Sequence, residues 1–323
     1  ATPRSLQVYN RVSGNQIILG GAIGGVFPLS SIVVHLTEGG SGRLDGGTVT
    51  TTGEQIYWPV STLGADTTLT GSKVHLNGDL QGTTAGQESL SIVGDVKFGN
   101  GGSDRFGTTA AFEFVEVSGS TEFRTTSSVV TTGSQTYSDP VTLSRDSSLT
   151  STDGGEIAFE STLDGNLALT VNTIGATVFE GRVGGTTALA SLTTDAGGST
   201  KFNDLPLTSV NVETTGAIDF GDSVEVSGAL HIDAGGAVRF RDTLDGDDAT
   251  IRTVGGQARF DGNIGGFDIP ASLDTSGSSS VDFNGDSVTT SGDQQWGALD
   301  LWFGPATFAA AAAGANVRFR STV

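Results

Sequence analysis

The first candidate for chemistry is the acidic run Asp245, Asp247 and Asp248 in the phrase LDGDD. Closely spaced carboxylates can act as acid and base on sugars, and several β-helical proteins are polysaccharide lyases or hydrolases that hold such groups in a cleft. Solvated turns also carry these residues, because Gly and Asp favour turns. Long insertions that could wall a cleft are missing from the sequence. We therefore expect a protein that is not an enzyme.

Metal and cofactor sites are equally weak in the sequence. His35, His75 and His231 stand alone, without the spacing of metal ligands. Cysteine is absent, which removes thiolate sites and disulfides. No phosphate-binding loop or nucleophile motif is found. We expect no cofactor, and the Gly-Asp turns leave calcium open as an alternative although they lack the regular calcium-binding nonapeptide.

Two kinds of surface recognition also stay open. Thr is frequent in TVTTT at 48–52 and TTLT at 67–70, but these clusters do not recur at one phase, as ice binding would need. Trp58 and Trp302 are candidates for stacking on surface glycans. An adhesin that binds glycans is therefore the alternative function.

Charge and composition exclude other classes. The chain has 36 acidic and 16 basic residues and a net charge of −20, which argues against nucleic acid as a partner. Residues 17–34 carry no charge, but four glycines and Pro28 interrupt them, so we expect no membrane insertion. Methionine is absent, including an initiator. We expect an extracellular or cell-surface protein whose leader peptide has been removed.

Long internal repeats dominate the sequence. TTGEQIYWP at 51 returns as TTGSQTYSDP at 131, TTGAIDFGD at 214 and TTSGDQQWG at 289, so the long repeat has about 80 residues. The predicted boundaries within a single domain, 1–323, are a partial repeat 1–43, full repeats 44–122, 123–201 and 202–282, and a partial repeat 283–323.

Shorter repeats of about 20 residues lie within the long ones. One large apolar residue marks each short repeat: Leu19, Leu44, Tyr57, Leu76, Phe98, Phe123, Tyr137, Phe159, Phe179, Phe202, Phe220, Phe240, Phe260, Phe283, Trp296 and Phe319. In GAVRFRDTL, Val238 and Phe240 share one face while Arg239 and Arg241 take the other, which is typical of half-buried strands.

A unit of this size cannot bury its own apolar face, whereas stacked units can. We predict an all-β fold, a parallel β-solenoid of about 16 coils in four long repeats, with the aromatic series as an inward ladder. A β-sandwich or a propeller is the alternative fold.

Phrases such as TTGSQTYSDPVTLSRDSSLTSTDGGEIAFESTLDG and LTVNTIGATVFEGRVGGTTALASLTTDAGGST resemble the β-helical repeats of large bacterial exoproteins of the filamentous-haemagglutinin type. The resemblance covers most of residues 44–290. It implies a secreted protein with a right-handed β-helix, and it implies adhesion as a common function. The secretion domain that begins such exoproteins is not recognisable in this chain.

The phase of the repeats at the two ends predicts self-assembly. If a second copy followed Val323, Leu19 of that copy would lie 23 residues after Phe319, and the equivalent internal steps are 22, 20 and 20 residues. A solenoid needs caps on its end strands, and neither end shows a polar or helical cap. We therefore expect head-to-tail stacking into a homopolymer, which makes the protein a structural subunit of an extracellular filament or sheath.

Both ends are also more apolar than the middle. Gly20 and Ala22 replace Glu180 and Arg182, Phe27 replaces Thr187, Trp302 stands where Ser144 stands, and Ala310–Ala313 replaces a polar stretch. Drift in a degenerate repeat is the alternative explanation. The predicted self-assembly interface consists of Leu6, Val8, Leu19, Gly20, Ala22, Phe27, Trp302, Ala311, Phe319 and Val323.

Overall fold

The computed structural model describes residues 4–36, 39–58, 61–125, 128–195, 197–203, 210–247, 249–301 and 305–320. These residues form strands, turns and isolated bridges, without a helix among them. The strands pair in parallel and stack as a β-solenoid of about 13 turns, which confirms the predicted fold class. The chain divides into two compact units, Ala1–Glu160 and Ser161–Val323.

The first unit contains sixteen of the described strands. They are β1 (Leu6–Asn10), β2 (Gln16–Leu19), β3 (Ile32–Leu36), β4 (Ser41–Leu44), β5 (Thr48–Thr50), β6 (Glu54–Trp58), β7 (Thr62–Leu63), β8 (Thr67–Leu76), β9 (Leu90–Phe98), β10 (Val115–Val117), β11 (Thr121–Phe123), β12 (Ser128–Thr131), β13 (Gln135–Tyr137), β14 (Val141–Leu143), β15 (Ser147–Ser151) and β16 (Ile157–Phe159). Its longest ladder runs β1-β3-β6-β8-β9-β10-β13-β16, and β2-β4-β7 and β12-β15 form other sides of the coils.

The second unit contains twenty described strands. They are β17 (Leu163–Asp164), β18 (Ala168–Thr173), β19 (Ala176–Phe179), β20 (Ser191–Thr194), β21 (Ser199–Asn203), β22 (Val210–Thr214), β23 (Ile218–Phe220), β24 (Ser223–Ser227), β25 (Ala229–Ala234), β26 (Val238–Phe240), β27 (Leu244–Asp245), β28 (Thr250–Gly255), β29 (Ala258–Phe260), β30 (Ser272–Ser278), β31 (Val281–Phe283), β32 (Ser287–Thr290), β33 (Gln294–Trp296), β34 (Leu299–Leu301), β35 (Thr307–Ala310) and β36 (Val317–Phe319). Its ladders run β19-β21-β24-β27, β18-β20-β23-β26-β29-β31-β34, β22-β25-β28-β30-β33-β36 and β32-β35.

The number of coils is lower than the predicted sixteen, because some marker residues share a coil. Leu44 pairs in register with Leu63, and Tyr57 pairs with Leu76. Since Leu63 follows Tyr57 in the chain, Leu44 and Tyr57 lie on two sides of the same coil. The short steps of the marker series therefore join two sides of one coil rather than two coils.

The aromatic side chains point inward, as the sequence predicts, but they form several ladders rather than one. Phe123, Phe202 and Phe283 pair in register with Leu143, Val226 and Leu301 instead of with the next aromatic residue. In the first unit the rings of Tyr137 and Phe159 are stacked with centroids 5.6 Å apart. In the second unit Phe240 and Phe260 are nearly parallel, with centroids 4.9 Å apart and planes 6° apart. These side chains are fully buried. Offset stacking of rings between coils adds to the free energy gained by burying their area.

A buried glutamine holds one of these aromatic side chains in place. The Oε1 of Gln135 accepts a hydrogen bond of 2.9 Å from the hydroxyl of Tyr137. Its Nε2 donates to the carbonyl oxygens of Val129 at 3.2 Å and Thr150 at 3.0 Å. Because both polar side chains are completely buried, these bonds satisfy groups that water cannot reach.

The same pairing recurs in two other long repeats and is replaced in the fourth. Gln55 accepts from the hydroxyl of Tyr57 at 2.7 Å, and Gln294 accepts from the indole nitrogen of Trp296 at 3.2 Å. In the remaining repeat, residues 202–282, the two positions are Ile218 and Phe220, both buried. The acceptor is thus absent where the ring carries no donor.

One glycine recurs in the same loop of all four long repeats. These residues are Gly24, Gly107, Gly184 and Gly265, with φ values of 74°, 71°, 77° and 68°. A Cβ at each would collide with a backbone carbonyl oxygen of the following coil, that of Thr50 in the case of Gly24. Glycine is therefore required both for the left-handed backbone and for the close approach of the coils.

Candidate functional site

The first described coil, residues 4–30, leaves its inward side chains partly exposed. We call it the N-terminal coil. Leu6 and Val8 alternate with exposed neighbours in β1 but are only half-buried. Their register partners in β3, Ile32 and Val34, are 0% and 1% exposed. Positions that form the core in the next coil are thus open in this one.

The backbone edge of the N-terminal coil is open in the same direction. Among the described residues, β1 has a strand partner on one side, β3. Ile23 is bridged to Val49 alone, whereas its equivalent Phe106 is bridged to both Leu80 and Val129. An unpaired parallel edge is a template for a further strand.

The loop of this coil carries exposed apolar side chains. Val26 and Phe27 are 85% and 81% exposed. Gly20 and Ala22 are also exposed, and Leu19 at the end of β2 is half-buried. The loop beside the open edge is therefore uncharged and apolar.

The last described coil, residues 305–320, also has partly exposed inward side chains and strands paired on one side. We call it the C-terminal coil. Phe319 in β36 is 41% exposed, whereas Phe240, its equivalent in β26, is 0% exposed. Among the described strands, β36 pairs with β33 and β35 pairs with β32, each on one side. Phe308 in β35 is half-buried, and Ala311 after it is exposed.

Charge is distributed in a way that sets the two terminal coils apart. All 36 acidic residues lie between Glu38 and Asp300. Four of the 16 basic residues lie outside this range: Arg4, Arg11, Arg318 and Arg320. The two coils are therefore the part of a strongly acidic chain that carries no carboxylate side chain.

The structure places most of the predicted interface residues in the two terminal coils. Leu6, Val8, Leu19, Gly20, Ala22 and Phe27 lie in the N-terminal coil, and Ala311 and Phe319 lie in the C-terminal coil. Trp302 and Val323 lie outside the described residues. Sequence reasoning missed Tyr9, Val12, Ile18, Val26 and Phe308, although the alternation of β1, β2 and β35 was the signal that could have found three of them.

The acidic run lines a shallow cleft of about 260 Å³ in the second unit. Asp245 accepts a hydrogen bond of 3.0 Å from the backbone of Phe267, and Lys201 forms an ion pair of 3.0 Å with Glu225. Asp247 also lines the cleft, and Asp248 lies outside the described residues. The Asp245 carboxylate thus holds a loop of the neighbouring coil in place.

The described residues offer neither a cluster of metal ligands nor a membrane-spanning helix. Within the described ranges, histidine and acidic side chains form no group of three or more that could hold a metal ion. The described chain also contains no helix long and apolar enough to cross a membrane. The uncharged stretch 17–34 contains β2, a loop and part of β3.

A scan against protein-family models found no match, and searches of curated proteins and of solved structures found none either. The resemblance to filamentous-haemagglutinin-type exoproteins stays a prediction.

Proposed function

We propose that the protein is a secreted structural subunit that stacks head-to-tail into an extracellular filament or sheath. The observation that carries the proposal is the exposure of core-type positions in both terminal coils, 41% at Phe319 against 0% at Phe240. A second copy of the chain can cover both surfaces, because each coil of a solenoid packs against coils of the same kind. The resemblance to secreted exoproteins supports the extracellular location.

We call the contact between the C-terminal coil of one copy and the N-terminal coil of the next the joint. The internal repeats define which residues meet there. Phe319 follows Trp296 in register, as Phe240 follows Phe220. The next residue in the ladder after Phe240 is Phe260. In the N-terminal coil the equivalent of Phe260 is Leu19. The joint therefore places Phe319 of one copy against Leu19 of the next.

A second side of the joint follows in the same way. Phe308 pairs with Val288, as Leu69 pairs with Val49, and Leu69 then pairs with Ile92. The partner of Ile92 in the following coil is Val117, and the equivalent partner of Val8 is Val34. The joint thus places Phe308 against Val8, and two rows of inward apolar side chains continue from copy to copy.

The side chains beside this contact are complementary in size. With Phe308 against Val8, the register sets Ala309 beside Tyr9 and Ala311 beside Arg11. The Tyr9 side chain is 49% exposed in the N-terminal coil. In the joint its large ring packs against the small alanine side chains of the C-terminal coil. Each large apolar side chain that becomes fully buried contributes about 1.5–3 kcal/mol.

The symmetry of this contact makes it open-ended. The joint brings together two different surfaces, so it generates a filament unless the rotation between copies closes a ring. The absence of carboxylates in the terminal coils reduces repulsion between copies that each carry a net charge of −20.

The experiment compares the wild-type protein with Phe319→Asp and with a matched control, Phe267→Asp, whose ring is 88% exposed in a loop outside both terminal coils. Light scattering and negative-stain microscopy should show end-to-end chains for the wild type and the control, and single copies for Phe319→Asp. Circular dichroism checks that all three are folded. A folded wild-type protein that stays monomeric at its highest soluble concentration would refute the proposal.

A further inference from the structure

Three aromatic side chains form a row on the outer surface of the first unit. Tyr9, His35 and Trp58 are register partners in β1, β3 and β6. The ring centroids of Tyr9 and His35 are 5.8 Å apart, and those of His35 and Trp58 are 6.5 Å apart. Neighbouring planes are tilted by 41°. We call these residues the outer aromatic row.

The core does not require this row. In each strand the aromatic residue follows a side chain that points inward, such as Val34 before His35. Tyr9 is 49% and Trp58 39% exposed, and His35 is exposed as well. The same outward positions one repeat later are Val93, Ser118 and Ser138. A Ser-containing row is therefore compatible with the fold, and the aromatic row needs another explanation.

A ligand that itself repeats can contact all three rings at once. The coils set the rings in a row along the stacking direction, with neighbouring centroids 5.8 and 6.5 Å apart, so one extended sugar chain can lie across them. The C–H face of a pyranose packs against an aromatic ring, and its hydroxyls bond to polar groups at the rim. Tyr, His and Trp each provide a flat face with a polar atom at its edge.

The charge of the chain selects among repeating ligands. Bases of single-stranded nucleic acid also stack on aromatic rows, but such sites need a cationic groove. Here Arg11 lies 6.0 Å from the centre of the Tyr9 ring, within a protein of net charge −20. Arg11 beside one ring does not make a cationic groove, so the row lacks what stacked nucleic-acid bases need.

We propose that the outer aromatic row binds a neutral, ribbon-like polysaccharide of the β-1,4-linked type. The site shares Tyr9 with the head-to-tail joint, but it lies on the outward face, and its other two rings, His35 and Trp58, need only one copy. Stacking of copies would repeat the row and raise the avidity without a new contact.

The test measures depletion of the full-length protein from solution by suspended cellulose, chitin and xylan. The wild type is compared with His35→Ser/Trp58→Ser and with Val93→Ser, which changes an outward residue of similar exposure one repeat later. We expect at least one polysaccharide to retain the wild type and the control, and the double variant to bind at least tenfold more weakly. Equal urea midpoints show that all three are folded.

Three results would overturn the proposal. The wild type is retained by none of the three polysaccharides, the double variant is retained as strongly as the wild type, or the row binds oligo(dT) in preference to the polysaccharides. None of these results bears on filament formation, which is scored separately by microscopy.

Discussion

Interior coils and terminal coils of this solenoid are built from the same repeat but bury it differently. In the interior, Phe240 has a ring on either side, Phe220 at 5.2 Å and Phe260 at 4.9 Å, and is completely buried. In the C-terminal coil, Phe319 contacts Phe308 at 5.5 Å and is 41% exposed. The difference shows that the core position of a coil is fully buried where a coil lies on both sides of it, which is the packing on which the stability of a solenoid depends.

The largest expected effect comes from truncating the two equivalent rings. Phe240→Ala removes a fully buried ring between two coils and should cost about 3–5 kcal/mol. Phe319→Ala should cost less than about half as much in the single molecule, because its ring already contacts water. Urea unfolding below the concentration of assembly measures both. Equal losses would show that the terminal coil is packed like the interior.

The second effect separates the repeats with a buried glutamine from the one without. Gln135→Ile should cost about 2–3 kcal/mol, because it removes the acceptor of the Tyr137 hydroxyl and the donor to the carbonyl oxygens of Val129 and Thr150. The double change Gln135→Ile/Tyr137→Phe creates the pair found at Ile218 and Phe220, and it should recover most of the loss. Urea midpoints measure the stability of the single and double variants. A double variant no more stable than the single one would contradict the role of Gln135 as the partner of the Tyr137 hydroxyl.

The third effect concerns a buried carboxyl in the repeat that lacks the glutamine. Asp222 accepts hydrogen bonds from Thr200 at 2.8 Å and Thr194 at 3.1 Å, and its Oδ2 has no hydrogen-bond partner. Burial raises the pKa of Asp222 to about 6, whereas a carboxyl in an unfolded chain has a pKa of about 3.9. The folded state therefore binds more protons than the unfolded state between these pH values.

Stability contributed by Asp222 consequently falls as the pH rises from about 4 to about 6, and it is constant above that range. Asp222→Asn keeps the acceptor for both threonines and removes the charge. The variant should be more stable than the wild type at pH 7 by about 1–2 kcal/mol and equal to it near pH 4. Urea midpoints across this range measure the difference, and a difference that does not change with pH would refute the explanation.

The smallest effect is expected on the outward face of the interior coils. Arg241 forms two hydrogen bonds with Asp219, at 2.7 and 2.6 Å, but both side chains are partly exposed. Arg241→Ala should therefore cost less than about 1 kcal/mol. A loss as large as that of Phe240→Ala would mean that the ion pairs, rather than the inward ladder, hold the coils together.

Local sequence pattern was enough to predict the strands and the inward direction of the aromatic side chains. Alternation in VRFRDTL places Phe240 inside and Arg239 outside wherever the strand lies. The number of coils was overestimated because pattern alone does not say whether Leu44 and Tyr57 are stacked or lie side by side. That distinction depends on pairing across coils.

The sequence offered Trp58 as a candidate for stacking on glycans, but its partners in the outer aromatic row, Tyr9 and His35, were missed for a related reason. Tyr9 and His35 are 26 residues apart, whereas His35 and Trp58 are 23 apart. Loops of unequal length separate the strands, so no fixed period aligns the three rings. Only the strand register shows that they are neighbours.

The most direct test of the head-to-tail joint is a disulfide between copies. The register that sets Phe319 against Leu19 also sets Arg318 against Ile18, at the distance between neighbouring strands, which a disulfide can span. The chain has no cysteine of its own. The variant Ile18→Cys/Arg318→Cys is compared with Ile18→Cys/Gln295→Cys, in which the second cysteine lies one coil further from the joint.

After mild oxidation, a non-reducing gel should show a ladder of covalent multimers for Ile18→Cys/Arg318→Cys that collapses on reduction, and a single band for the control. Filaments without a ladder would show that copies assemble in another register. Neither filaments nor a ladder, from a folded protein, would contradict the central claim that the two terminal coils bind each other.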